Sequence, residues 1–89
     1  MADIKVYTTN MCGYCIVAKR LLDKRGIPFQ EINVSGDAAQ RAWLVKTTGR
    51  RTVPQIFIDG DPIGGSDELY EMDRSGELAR RVSAPSTVE

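Results

Sequence analysis

The chain has 89 residues, with 12 Lys plus Arg against 12 Asp plus Glu, no His and two cysteines. That length fits one small domain over residues 1–89, with a modest core. Zero net charge gives no chain-wide field for nucleic acid or an anionic membrane, and no apolar run approaches the roughly 20 residues that span a bilayer. The opening MADIKVY has no apolar signal-like stretch, so the expected location is cytoplasmic. There a disulfide is usually transient, not structural.

In chain order, IKVY (4–7) is a short β-prone run. MCGYCIVAKRLL (11–22) carries both cysteines and leads into helical spacing, with Ala18, Leu21, Leu22 and Arg25 three and four apart. Gly26 is the expected stop, and Pro28 lies just beyond. PFQEINV (28–34) alternates apolar and polar residues, as a strand does. Asp37 with Gln40 three residues on resembles a capping box, and Ala38, Ala42 and Val45 then form a helical stripe closed by Gly49. QIFID (55–59) alternates again, and Asp59-Gly60-Asp61 is a hairpin signal before a brief strand near Ile63. Ser66 reads as the N-cap of a last helix whose inner face is Leu69, Met72, Leu78 and Val82. The polar tail, about residues 83–89, reads as frayed. The order β-α-β-α-β-β-α predicts an α/β domain with a four-stranded mixed sheet. Its first two strands are parallel through a right-handed crossover, its last two are antiparallel, and helices cover both faces.

Cys12 falls in the turn after the first strand, and Cys15 in the first turn of the following helix. Backbone N–H groups at a helix start lack intrahelical partners and form the positive end of the dipole, so a thiolate is stabilised there. The thiolate is the attacking species in disulfide exchange. Cys12, outside the helix, is expected to be exposed and to attack. Cys15, on the inward stripe, is expected to be covered and to resolve. A CxxC beside a βαβ pattern points to redox use. Three other readings compete. A zinc site needs four ligands, and this chain has no His and no third Cys. A c-type haem motif needs His at position 16, which is Ile. The plainest reading is two core cysteines.

YTTNMCGYC, RRTVPQIFIDG and IGGSDELYEMD, in this order and spacing, resemble the dithiol glutaredoxins, in particular the small bacterial type. The match runs from about residue 3 to residue 82. The resemblance implies a thioredoxin fold and a glutathione-dependent oxidoreductase that reduces protein–glutathione mixed disulfides and protein disulfides through Cys12 and Cys15. It implies a cis Val53–Pro54 bond, which presents the Val53 backbone beside Cys12 to a peptide such as glutathione. Thr52, Val53 and Pro54 then flank the peptide, and Tyr14 covers it or simply lids the helix end. Gly65, Ser66 and Asp67 suit the γ-glutamyl end, through close backbone approach, helix-start N–H groups and the Asp67 carboxylate. Arg41 matches the position that takes the other carboxylate. Arg50 and Arg51 add a positive rim there or are simply solvated charges.

The chain departs from many relatives at Thr9, where they carry Lys, at Gly13, where they carry Pro, and at Ser66, where they often carry Cys. Gly13 raises an alternative: a dimer bridging a [2Fe–2S] cluster through Cys12 and glutathione from each copy. A further alternative is reduction by thioredoxin reductase in place of glutathione. The expected partners are glutathione and disulfide-bearing or glutathionylated proteins. No nucleic acid, membrane or resident metal is expected, and the expected state is a monomer.

Overall fold

The computed structural model describes residues 2–83, so the expected frayed tail lies outside the described residues except for Ser83. The elements are β1 (Ile4–Thr8), α1 (Gly13–Lys24), β2 (Gln30–Asn33), α2 (Ala38–Thr48), β3 (Gln55–Ile58), β4 (Asp61–Gly64), α3 (Ser66–Ser75) and α4 (Glu77–Ser83). The sheet order is β2-β1-β3-β4. β1 pairs parallel with β2, from Lys5 opposite Gln30 to Thr8 opposite Asn33. β1 and β3 are antiparallel, with Ile4 opposite Ile58 and Tyr7 opposite Gln55. β3 and β4 form the expected hairpin. Among the described residues, no helix is long and apolar enough to cross a membrane.

The strand period of two sorts the sheet into two faces. Ile4, Val6, Ile56 and Ile58 point to one face, where Ala18, Leu21 and Leu22 of α1, Leu69 of α3 and Leu78 of α4 meet them. Tyr7 and Phe57 point to the other, with Val34, just after β2, and Leu44 of α2. Trp43 stacks on Phe57 with ring centroids 5.9 Å apart, and Tyr7 meets Phe57 edge-on at 5.3 Å. Arg25 closes the first face from outside. Its guanidinium forms a two-bond fork on Asp73 at 2.9 and 2.8 Å, which ties the end of α1 to α3.

Four local expectations change. QIFI does not alternate in burial: all four residues of β3 are buried, because a central strand is covered on both faces. The stripe of α2 is not Ala38, Ala42 and Val45. Ala38 and Ala42 are exposed, and Leu44 is the buried residue of the helix. The inward side chains are the larger ones because Phe57 and Tyr7 offer α2 an aromatic surface. Ser66 is not the N-cap of α3. Gly65 is, and Ser66 is the first helical residue, nearly buried. The last helix is two helices, because Gly76 takes a left-handed φ of 87° and closes α3 before Glu77 starts α4. The inner residues Leu69 and Leu78 still share one core across that break.

Candidate active site

The loop between β1 and α1 is held in place before it reaches the cysteines. The Asn10 N–H donates to Ser35 Oγ at 2.8 Å, and Asn33 Nδ2 donates to Asn10 Oδ1 at 2.9 Å. Met11 then takes a left-handed φ of 56° and turns the chain into Cys12. Cys12 is the N-cap of α1. Its Sγ accepts the Cys15 N–H at 3.1 Å, so the sulfur already occupies the place where helix-start N–H groups converge. Cys15 is 2% exposed and Cys12 is half-buried, the asymmetry expected for resolver and attacker. The two form a disulfide, with Cα atoms 5.2 Å apart.

The second wall of the site is the loop before β3. The Val53–Pro54 bond is cis, as expected, and the Val53 carbonyl oxygen lies 3.6 Å from Cys12 Sγ. The Val53 N–H has no hydrogen-bond partner among the described residues. Gln55 positions this loop, a role the sequence reading missed. Its side chain is 1% exposed, and Nε2 donates to the Thr52 carbonyl at 2.9 Å. The third wall is the start of α3. An added Cβ on Gly65 would sit 3.1 Å from the Pro54 carbonyl oxygen, so the missing side chain is what lets this helix start lie against the Pro54 loop. The Gly65 N–H donates to Glu68 Oε1 at 2.8 Å, and Arg50 stands 3.4 Å from the same oxygen. These partners hold the Glu68 carboxyl below its usual range, the Gly65 N–H contributing most.

Tyr14, Thr52, Val53, Pro54, Gly65, Ser66 and Asp67 line one cleft of ≈ 230 Å³ beside Cys12. Seven of the eight predicted binding residues therefore converge, although they come from three separate stretches of chain. Arg41 is not among them. It lines an adjoining cavity that shares Arg50, Thr52 and Val53 with the cleft. Arg50 and Glu68, read as unremarkable from sequence, also line the cleft. The pair Gly65 and Glu68, three apart at a helix start, is the signal that could have revealed them.

A disulfide-forming CxxC at a helix start, a cis-proline loop against it and a second helix start opposite make a site built for exchange at one sulfur. The glutaredoxin family model matches residues 4–63. The chain belongs to the glutaredoxin family. It is 50% identical over 78 residues to glutaredoxin 3 of Escherichia coli K12, covering 88% of this chain and 94% of that protein. The solved buckwheat glutaredoxin–glutathione complex superposes with a TM-score of 0.86 at 36% identity, over 92% of this chain and 77% of that one. The glutaredoxin of Brucella melitensis superposes with a TM-score of 0.83 at 40% identity, over 92% of this chain and 89% of the other. The fold is the thioredoxin fold, and this glutaredoxin is a thiol–disulfide oxidoreductase.

Proposed function

We propose that this glutaredoxin uses glutathione as its reductant and reduces protein–glutathione mixed disulfides as well as protein disulfides. The observation that carries the reading is the cleft between Val53 and the Gly65-Ser66-Asp67 helix start, with Cys12 Sγ 3.6 Å from the Val53 carbonyl oxygen at its edge. Glutathione is a short peptide with its cysteine in the middle and a carboxylate at each end. Opposite Val53 it can pair with the backbone as an added strand, which brings its sulfur to Cys12. Gly65 itself brings no side-chain cap and Glu68 takes the Gly65 N–H, so the Ser66 and Asp67 N–H groups can hold the γ-glutamyl carboxylate while the Asp67 side chain takes the ammonium. Arg41, in the adjoining cavity, then meets the glycine carboxylate, with a fork that Lys cannot reproduce.

The Cys12 thiolate attacks the glutathione sulfur of a mixed disulfide, and the protein thiolate leaves. A second glutathione, or Cys15 from within the chain, then releases glutathione from Cys12. The Cys15 N–H stabilises the Cys12 thiolate each time it is the leaving or attacking sulfur. The chemistry suits a reducing, glutathione-containing compartment such as the cytoplasm. The cluster-bridged dimer would need Cys12 of each chain as a free thiolate ligand, whereas Cys15 closes a disulfide on that same sulfur. Redox use therefore carries the proposal. The test is turnover of a glutathione mixed disulfide with NADPH, glutathione and glutathione reductase, against NADPH and thioredoxin reductase. Turnover in the first system is the expected result. Turnover only in the second overturns glutathione dependence.

A further inference from the structure

The cavity next to the cleft has a chemistry of its own. It lies between α2 and the loop before β3, measures ≈ 400 Å³, and joins the cleft along Thr52 and Val53. Its apolar floor includes Val34 and Leu44, both buried. Its rim carries Arg41, Lys46, Arg50 and Arg51, and no acidic side chain lines it. Arg50 is already paired with Glu68. Arg41, Lys46 and Arg51 have no ion-pair partner among the described residues. In a chain of zero net charge, this is a local excess of unspent positive charge beside the reacting sulfur.

We propose that this groove binds an acidic segment of a disulfide-bearing substrate protein, with its carboxylates just C-terminal to the cysteine that Cys12 attacks. The direction rests on the proposed placement of glutathione, whose cysteine faces Val53 and whose glycine end faces Arg41. A protein cysteine attacked directly takes the place of the glutathione cysteine. The chain after it follows the path of the glycine into the groove, where Lys46 and Arg51 meet its acidic side chains and the apolar floor meets its stem atoms. The floor favours a peptide over a nucleic-acid strand, whose backbone would seek phosphate contacts alone. In the exchange, the Cys12 thiolate bonds to the substrate sulfur and the second substrate sulfur leaves as a thiolate. Cys15 then attacks Cys12 Sγ and releases the first substrate thiolate. The Cys12–Cys15 disulfide retains the two-electron oxidation.

The experiment uses two disulfide peptides that differ only after the attacked cysteine, one with Asp-Glu and one with Gln-Gln. Prereduced protein is mixed with each in a single turnover, and the reduced peptide is measured. This readout needs no glutathione, so it stands even if glutathione turnover is absent in the coupled assay. The acidic peptide should react roughly 3–10-fold faster, the scale of one or two exposed ion pairs, and the advantage should shrink at high salt. The double variant Lys46→Glu with Arg51→Glu should erase or invert the preference. It should slow reduction of a small glutathione mixed disulfide less than it slows the acidic peptide, and Lys46→Gln with Arg51→Gln should give the intermediate preference. Equal rates for the two peptides in the unaltered protein, or a preference that survives both double variants, would overturn the proposal. So would competition by a short single-stranded oligonucleotide that exceeds competition by the acidic peptide.

Discussion

Two helices begin at the same cleft, and they begin differently. At the start of α1 the N-cap position is filled by a sulfur, Cys12, which accepts the Cys15 N–H. At the start of α3 the N-cap is Gly65, which offers no side chain, and Glu68 turns back to accept the Gly65 N–H. The first arrangement spends a helix start on stabilising one reactive atom of the protein. The second gives the Ser66 and Asp67 N–H groups no side-chain cap, and the proposed carboxylate binding rests on those groups. Under the proposed function, the same backbone feature serves a nucleophile at one helix start and recognition at the other. The difference is set by a single residue type at each cap.

The contrast is broken most severely at the first wall. Cys12→Ser should abolish all exchange, because the hydroxyl that replaces the sulfur cannot form or leave a disulfide at neutral pH. Cys15→Ser should keep reduction of glutathione mixed disulfides and lose most protein-disulfide reduction, since only the latter needs the resolver. Rates on the two substrate types separate the roles, and near-normal deglutathionylation by Cys12→Ser would assign the attack to the wrong sulfur.

Changes on the binding side, at the start of α3 and in the adjoining cavity, should weaken binding without touching the chemistry. Asp67→Ala and Arg41→Ala should each lower kcat/KM for glutathione by a factor equivalent to about 1–3 kcal/mol, the cost of losing one charged hydrogen-bonding partner. The effect should lie in KM more than in kcat. Equal kcat/KM in both variants and the parent would place glutathione elsewhere. Gly65→Ala tests the close approach itself. Its Cβ would stand 3.1 Å from a backbone oxygen, tighter than ordinary contact, so the helix start must move away from the Pro54 loop. Glutathione use should fall, with an unfolding free energy lower by roughly 1 kcal/mol.

The two walls were not equally legible. Cys12 and Cys15 announce themselves by spacing, and the helix that follows them is plain from Leu21, Leu22 and Gly26. Gly65 and Asp67 were legible through the GGSD stretch and its family resemblance. The return of Glu68 to the Gly65 N–H was not read, because Ser66 looked like the better cap. What excludes Ser66 is tertiary: the chain must pass within contact of the Pro54 carbonyl at residue 65, which shifts the helix start by one residue. Gln55 was hidden for a related reason. A polar residue heading an apolar strand reads as a surface position until β1 and β4 are seen to enclose β3. The basic groove was half legible: a positive rim of Arg50 and Arg51 near Arg41 could be read, but Lys46 and the cavity itself appear only once the fold gathers α2 against the loop before β3. Gly76 carried a readable stop signal, but the apolar spacing of Met72 and Leu78 runs across it.

The smallest expected effect concerns the charge that braces the second wall. The Glu68 carboxyl is held below its ordinary value of 4.5, by the Gly65 N–H first and by Arg50 less. A carboxylate whose folded value is lowered adds stability above its unfolded value and loses it as pH falls through the folded value. The window for Glu68 therefore lies at and below about pH 4.5. Glu68→Gln keeps an acceptor for the Gly65 N–H and removes the charge. Glu68 is 44% exposed, so its ion pair with Arg50 is worth only a few tenths of a kcal/mol after solvent screening. At neutral pH the parent should be more stable than the variant by that small amount. On acidification both should weaken, because the Glu31 carboxyl, lowered by the Thr8 hydroxyl and then Lys19, and the Asp73 carboxyl, lowered by Arg25, also lose their partners' benefit. The parent should weaken more steeply, and the two curves should converge as pH falls below 4.5. Urea denaturation across this range reads the difference directly. Curves that stay parallel to about pH 3 would show that the Glu68 charge is not coupled to folding. The Gly65 N–H would then be braced by its hydrogen bond alone.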